Sequence, residues 1–286
     1  MPFELVDYET VKLPKSLTYL HLVKVPIPVG FIPDRVKILS IISHNSGDFE
    51  ILPGSIPSSV ETLTLRGYEG PTTTEYLPDS IKELDWNRQT NTQTLSSTLE
   101  TLSWGYMGPA NDNPMNLPFM FPSTIQHIKC TTITFPLPPS LISLECQFDT
   151  TCLIDNSYYS ISKFNYQQQQ DNNNNNLLLL PLNLRKLKIQ ANEIFGEGIS
   201  KFSFRLDEVI NQTNVETLSI VMSRRILFKA TIKRLEKDNS RVLIVDNKSL
   251  FGGIIHQSRQ SNNEYAPIYL HNSKKVNNNY IPYWSH

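Results

Sequence analysis

Apolar residues recur along the chain in an L-x-x-L-x-L pattern set inside a ten-residue unit. In IPSSVETLTL, from Ile56, the fifth, eighth and tenth positions are Val60, Leu63 and Leu65; in LPDSIKELDW, from Leu77, they are Ile81, Leu84 and Trp86. The same unit reads LPKSLTYLHL at Leu13, IPDRVKILSI at Ile32, LSSTLETLSW at Leu95, FPSTIQHIKC at Phe121, LPPSLISLEC at Leu137 and LPLNLRKLKI at Leu180. Two weaker copies, SYYSISKFNY at Ser157 and NQTNVETLSI at Asn211, bring the count to ten. Successive starts lie 19, 24, 21, 18, 26, 16, 20, 23 and 31 residues apart, a loose period that signals a solenoid.

The eighth and tenth positions alternate with polar neighbours, so each unit predicts a short strand with one buried face. Pro at the second position of seven copies (Pro14, Pro33, Pro57, Pro78, Pro122, Pro138, Pro181) forbids a helix and predicts a stiff approach to that strand. Position four is Ser, Thr or Asn in nine copies, Arg35 being the exception; such side chains bond nearby backbone groups at turns. A single unit cannot bury its apolar residues, whereas stacked units bury a continuous column at about 1.5–3 kcal/mol per large side chain. Parallel stacking at about 4.8 Å predicts Trp86 beside Trp104 and Cys130 beside Cys146.

The stretch ILPGSIPSSVETLTLRGY, Ile51 to Tyr68, resembles the FNIP repeat, a relative of the leucine-rich repeat abundant in social amoebae, and the resemblance runs over most of Leu13 to Ile220. The Phe-Asn-x-Pro tetrapeptide that names the family is replaced here by Tyr68-Glu-Gly-Pro71, Tyr106-Met-Gly-Pro109 and Val25-Pro-Ile-Pro28. QQQQDNNNNN, from Gln167, is similar to the low-complexity runs of amoeba proteins, and Ala230 to Arg259 resembles the segment that follows the repeats in many members. The resemblance implies a binding or scaffolding module with no catalytic residues to carry over.

The resulting expectation is a mostly β, leucine-rich-repeat-like solenoid with a parallel sheet on its concave face, irregular convex connections and a C-terminal β-hairpin cap. Its parts are a lead-in over 1–12, repeats over 13–225 with a disordered Gln/Asn insertion at 167–176, a capping unit over 226–259 and an irregular tail over 260–286. FRLDEVINQ, from Phe204, has apolar residues at helical spacing and predicts a short convex-side helix. ILFKATIKRL and RVLIVDN flank a Lys-Asp-Asn-Ser turn, predicting the hairpin that blunts the last strand.

Composition narrows function by exclusion. The 286 residues are 39% hydrophobic, with 26 basic and 27 acidic residues and a net charge of −1, which offers no overall field for nucleic acid or anionic lipid. The N-terminal MPFELVDYETVK does not resemble a signal or transit peptide, and no run approaches a transmembrane length. Three cysteines fit free thiols in a reducing compartment, cytosol or nucleus. The two sequons at Asn211 and Asn247 mean little without export. The six histidines never fall in H-x-x-H or H-E-x-x-H, no cysteine pair has ligand spacing, and FGEGIS and Gly252-Gly253 lack the rest of any phosphate-binding fingerprint. No catalytic, cofactor-binding or metal-ligating residue is therefore expected. Bacterial effector ligases that join Pro-rich repeats to a cysteine-dependent domain are a poor match, since no cysteine follows Cys152.

The functional expectation is a non-catalytic interaction module for a protein partner, without membrane or nucleic-acid binding. The alternatives are a structural repeat protein with no dedicated partner and an adaptor in ubiquitin ligation, the latter needing an F-box-like helical segment, whereas the first copy starts at Leu13. The ninth positions point outward in the predicted strands, and with their seventh-position neighbours they become more basic in the later copies. Lys129, Glu145, Lys163, Lys186 and Lys188 are the candidate partner-binding residues; a merely solvated charged face is the commoner meaning of such a row.

Overall fold

A computed structural model describes residues 12–23, 27–43, 51–68, 73, 75–86, 95–104, 121–131, 133, 137–148, 153–154, 158–161, 180–191, 203–222, 225–247, 252–261, 264–272 and 282–285. The chain divides into two compact units, Met1–Ile125 and Gln126–His286.

The first unit stacks five strands, β1 Tyr19–Val23, β2 Ile38–Ile42, β3 Thr62–Arg66, β4 Glu83–Trp86 and β5 Thr101–Trp104, one from each of the first five copies. All pair in parallel with no slip: Leu20, Leu39, Leu63, Leu84 and Leu102 share one row. Trp86 stands opposite Trp104, as the spacing predicts. Eighth and tenth positions face inside, with Leu39, Ile41, Leu63 and Leu65 fully buried and Trp104 half-buried.

Each strand is entered through a tight turn that the second-position residue opens. The fifth-position amide donates to the second-position carbonyl, from Leu17 to Pro14 through Ile81 to Pro78 and Ile125 to Pro122, at 2.9–3.2 Å. Proline suits this place because only its carbonyl is needed there. Position four does more than serve its own turn. The Ser59 hydroxyl donates to the Val36 carbonyl of the preceding coil (2.8 Å), Ser80 to Val60 (2.7 Å) and Thr124 to Leu99 (2.7 Å). These bonds join coil to coil beside the strand ladder and satisfy buried fifth-position carbonyls. On the returning side, Ile27 and Ile51 form a parallel bridge, each just before a turn, opened by the Pro28 or Leu52 carbonyl, whose glycine, Gly30 or Gly54, has φ near +80° (80° and 79°), a conformation glycine adopts without strain.

The second unit continues the pattern with β6 His127–Cys130 and β7 Ser143–Phe148 from copies six and seven. Copy eight departs from the expected stacking: β7 pairs directly with the strand of copy nine, and the described residues of copy eight supply no strand to this sheet. Its Tyr158–Tyr159, β9, pairs instead with Leu153–Ile154, β8, in a second sheet. Where other copies place Pro and a turn, this one places two residues of high strand propensity. Its later positions, Lys163 among them, and the Gln/Asn tract lie outside the described residues. β7 consequently pairs directly with β10, Lys186–Ala191 of copy nine, Leu144 facing Leu187. β11, Ser203–Arg205, then leads into the expected helix, α1, Leu206–Gln212, and β12, Thr217–Met222 of copy ten, follows in parallel with β10. Asn183 and Asn214, the longer position-four side chains, reach the third-position carbonyls of Pro139 and Leu182.

The cap is larger than a hairpin. β13, Arg225–Arg234, pairs antiparallel with β12 and, as expected, with β14, Arg241–Asp246, and β15, Gly252–His256, adds a third cap strand antiparallel to β14. The tail after residue 260 is not irregular throughout, which corrects the expectation from its Asn/Ser-rich composition. β16 Tyr269–Asn272 and β17 Pro282–Ser285 pair antiparallel, and β16 also pairs with β11, so the second sheet runs β17-β16-β11-β9-β8. Ile268 and Leu270, fully buried, carry the apolar alternation that the average composition hides.

Three polar clusters tie α1 into this unit. Glu208 accepts from the Ser160 hydroxyl (2.7 Å) and the Ile161 amide (2.9 Å), while Asp207 accepts from Arg205 (2.6 and 2.8 Å) and the Ile268 amide (3.0 Å). The Arg234 guanidinium donates to the carbonyls of Val209, Ile210, Thr213 and Val215, at the C-terminal end of α1. Asn211 and Gln257 exchange amide bonds at 3.0 and 3.2 Å.

Candidate basic face

The eighth and tenth positions bury the strands, so the seventh and ninth face the other side of the sheet. In the second unit this alternation puts Lys129 on β6, Glu145 on β7 and Lys188 on β10 in one row, Glu145 facing each lysine. The carboxylate lies 3.0 Å from the Lys188 amine and 3.6 Å from that of Lys129. Lys186 occupies the neighbouring row, level with Ser143 and Thr217. Four of the five sequence-predicted residues thus share one face of three adjacent strands.

Sequence reasoning missed the extension of this face into the cap. Ser219 carries the Lys188 row to Lys229 on β13, and Lys233 follows further along the same strand. Both are exposed, with Phe228, Ala230 and Ile232 buried between and beside them. The signal was present as the strict alternation of FKATIK. Counted over β6, β7, β10, β12 and β13, the described outward residues carry five lysines against the single carboxylate of Glu145. Lys186, Lys229 and Lys233 have no acidic partner among the described residues. Next to them on β14 and β15 the face turns aliphatic, with Leu243 opposite Ile254, which is 52% exposed.

The first unit's outward face differs. Its β1 and β2 expose Tyr19, Val23 and Ile38, and its charges are Arg66, Glu83 and Asp85, of which Arg66 and Asp85 are paired at 3.2 Å. Along the strand entrances, Glu61 lies between Lys37 (2.6 Å) and Lys82 (3.5 Å), whose amines hold its carboxyl below the ordinary range.

Burial, with a smaller push from Glu145, drives the Cys130 thiol up to about 12, which leaves no nucleophilic thiolate at neutral pH; Cys146 on β7 is also buried, and neither of the two is in a disulfide. No group of three potential metal ligands occurs among the described residues, and no described helix is long and apolar enough to cross a membrane. A cleft of about 430 Å³ opens beside the end of α1, but its one half-buried cation, Arg234, is already engaged by four carbonyls.

In each unit, parallel strands contributed by successive copies, the eighth excepted among the described residues, stack in register and define a leucine-rich-repeat-like solenoid fold. Among solved structures the chain is similar to CroV588, described as a novel circular LRR protein, at 18% identity and a TM-score of 0.44, over 73% of this chain. It spans 27% of that protein's chain. No family model and no curated protein matches.

Proposed function

We propose that this chain is a non-catalytic protein-interaction module of the FNIP-repeat kind, working in the cytosol and engaging its partner through the outward face of the second unit. The observation that carries the reading is the alignment of Lys129, Glu145, Lys186 and Lys188 on three neighbouring strands, so that one partner can meet several of them at once. Charged surface groups of this kind govern specificity and association rate. The test is affinity capture from lysate with the wild type and with the triple variant Lys129→Glu, Lys186→Glu, Lys188→Glu. Since Glu145 would then lie between two new carboxylates, the milder triple Lys→Ala variant and a thermal melt accompany it. Loss of the same captured protein from both triple variants, with the fold intact, supports the reading; undiminished capture by both removes this face from consideration.

A further inference from the structure

We infer that the antiparallel cap is part of the binding surface, and that the surface takes an acidic protein segment bearing aliphatic side chains. The inference rests on the interaction-module reading and names its partner class. The row Lys129, Glu145, Lys188, Ser219, Lys229 crosses five adjacent strands in register; where the repeats end and the cap begins, the β12–β13 pairing is regular from Thr217 to Ile220 and shifts only beyond it, between Ile220 and Val221. Lys186 and Lys233 flank it on the same face. A net excess of four positive charges thus gathers on one face of a chain whose total charge is −1. The charge complementarity points to an anionic partner.

The chemistry of the face selects a protein over a nucleic acid. The row's cations are all lysines, and the described arginine nearby on β14, Arg241, faces Glu236 at 3.2 Å, so no arginine of the row offers the planar fork that grips phosphate in two bonds. Across the described outward residues of β6, β7, β10, β12 and β13 the one ring on which a base could stack is His127, level with Ser143, so the run of stacking platforms that single strands use is not built here. Glu145, in mid-row, opposes a continuous phosphate backbone but is compatible with a segment whose carboxylates are spaced. The aliphatic end, Leu243 and Ile254, gives such a segment an apolar anchor beside the lysines. A polar tail of carboxylates alone would leave that end unused.

The test uses the full-length chain and fluorescence anisotropy with a fluorescein-labelled peptide of repeating Glu-Glu-Leu units. The comparison probes are a Gln-Gln-Leu peptide, an all-glutamate peptide and a single-stranded oligouridylate of ~20 nucleotides. The expected result is preference for Glu-Glu-Leu, a loss of about tenfold in the Lys229→Glu, Lys233→Glu double variant, and a smaller loss in Ile254→Ser that the all-glutamate peptide does not register. Weakening by the Lys129, Lys186, Lys188 triple variant with no effect of the cap variants overturns the role of the cap while leaving the interaction-module reading standing. Preferential binding of the oligouridylate, or no binding of Glu-Glu-Leu by a protein that still captures its partner from lysate, overturns the acidic-segment assignment alone. Failure of both peptide binding and variant-sensitive capture defeats the inference and the reading together.

Discussion

At the residue scale, one position along a strand separates core from solvent. Leu63 is fully buried between Leu39 and Leu84, whereas Thr64 lies half-exposed between Ser40 and Asp85. Leu63→Asp should therefore lose about 4–5 kcal/mol or more, by placing an unpaired charge in the column. Thr64→Asp should lose under about 1 kcal/mol, the cost of setting a second carboxylate across from Asp85. Chemical denaturation of the two variants measures the difference; comparable losses would mean that the strand faces are assigned wrongly. The position-four hydroxyls permit a finer test. Ser59→Ala removes the bond to the Val36 carbonyl and should cost about 1 kcal/mol, since that carbonyl is left without its donor in a buried coil. Ser58→Ala, on the exposed neighbour, is the control expected to change nothing.

At the element scale, the strand faces and turns were legible because their causes are local. Leu63 and Leu65 alternate, and Pro57 can neither continue a helix nor donate, so the unit is readable wherever it occurs. The cross-coil bond of Ser59 was not legible, since its acceptor is 23 residues away and depends on how neighbouring coils stack. Copy eight misled for the reverse reason: Ile161 fits the pattern, but Tyr158 and Tyr159 favour extension where the pattern needs a turn. Of the candidate site, Lys129, Glu145, Lys186 and Lys188 were readable from repeat position alone, while Lys229 and Lys233 required knowing that β13 pairs with β12 in register with Ser219. The tail's strands were hidden by composition, and their attachment makes a pH-dependent prediction. His271 on β16 bonds the Ser203 hydroxyl of β11 at 2.8 Å and the Ser285 hydroxyl of β17 at 2.9 Å, and burial lowers its imidazole below the ordinary 6.5. A depressed folded-state value means that the unfolded chain binds the proton more readily, so stability rises with pH across this window. The contribution is complete above 6.5 and declines as pH falls toward the lower folded value. Hydrogen exchange at the β16 and β17 amides should accelerate relative to β12, after correction for intrinsic rates, between neutral and mildly acidic solution. His271→Gln should flatten that response. An unchanged wild-type ratio would show that His271 does not control the attachment of these strands.

At the scale of the whole molecule, a stack of repeats gains stability from each coil's contacts with its neighbours rather than from one central core. What matters is which strands are consecutive in space, and in the second unit these are β7 and β10, joined from Lys186 opposite Ser143 to Ala191 opposite Phe148. The Gln/Asn tract falls within the sequence between them without interrupting that register. Its residues 168–176 include no apolar side chain, so it has nothing to add to the buried column, and loop closure depends only on the logarithm of loop length. Deleting 168–176 shortens the connection while leaving Leu177 onward to lead into copy nine. The deletion variant should melt within about 2 °C of the wild type and keep the same circular dichroism spectrum. Removing instead the Leu144 side chain, buried opposite Leu187 in the strand pair that the tract connects, should cost about 2–5 kcal/mol as Leu144→Ala. Equal losses from the deletion and from Leu144→Ala would mean that the tract contributes to the folded core. A deletion that leaves the melt unchanged while Leu144→Ala lowers it would locate the stabilising contact in the β7–β10 pair, with the polar tract serving as a connection around it.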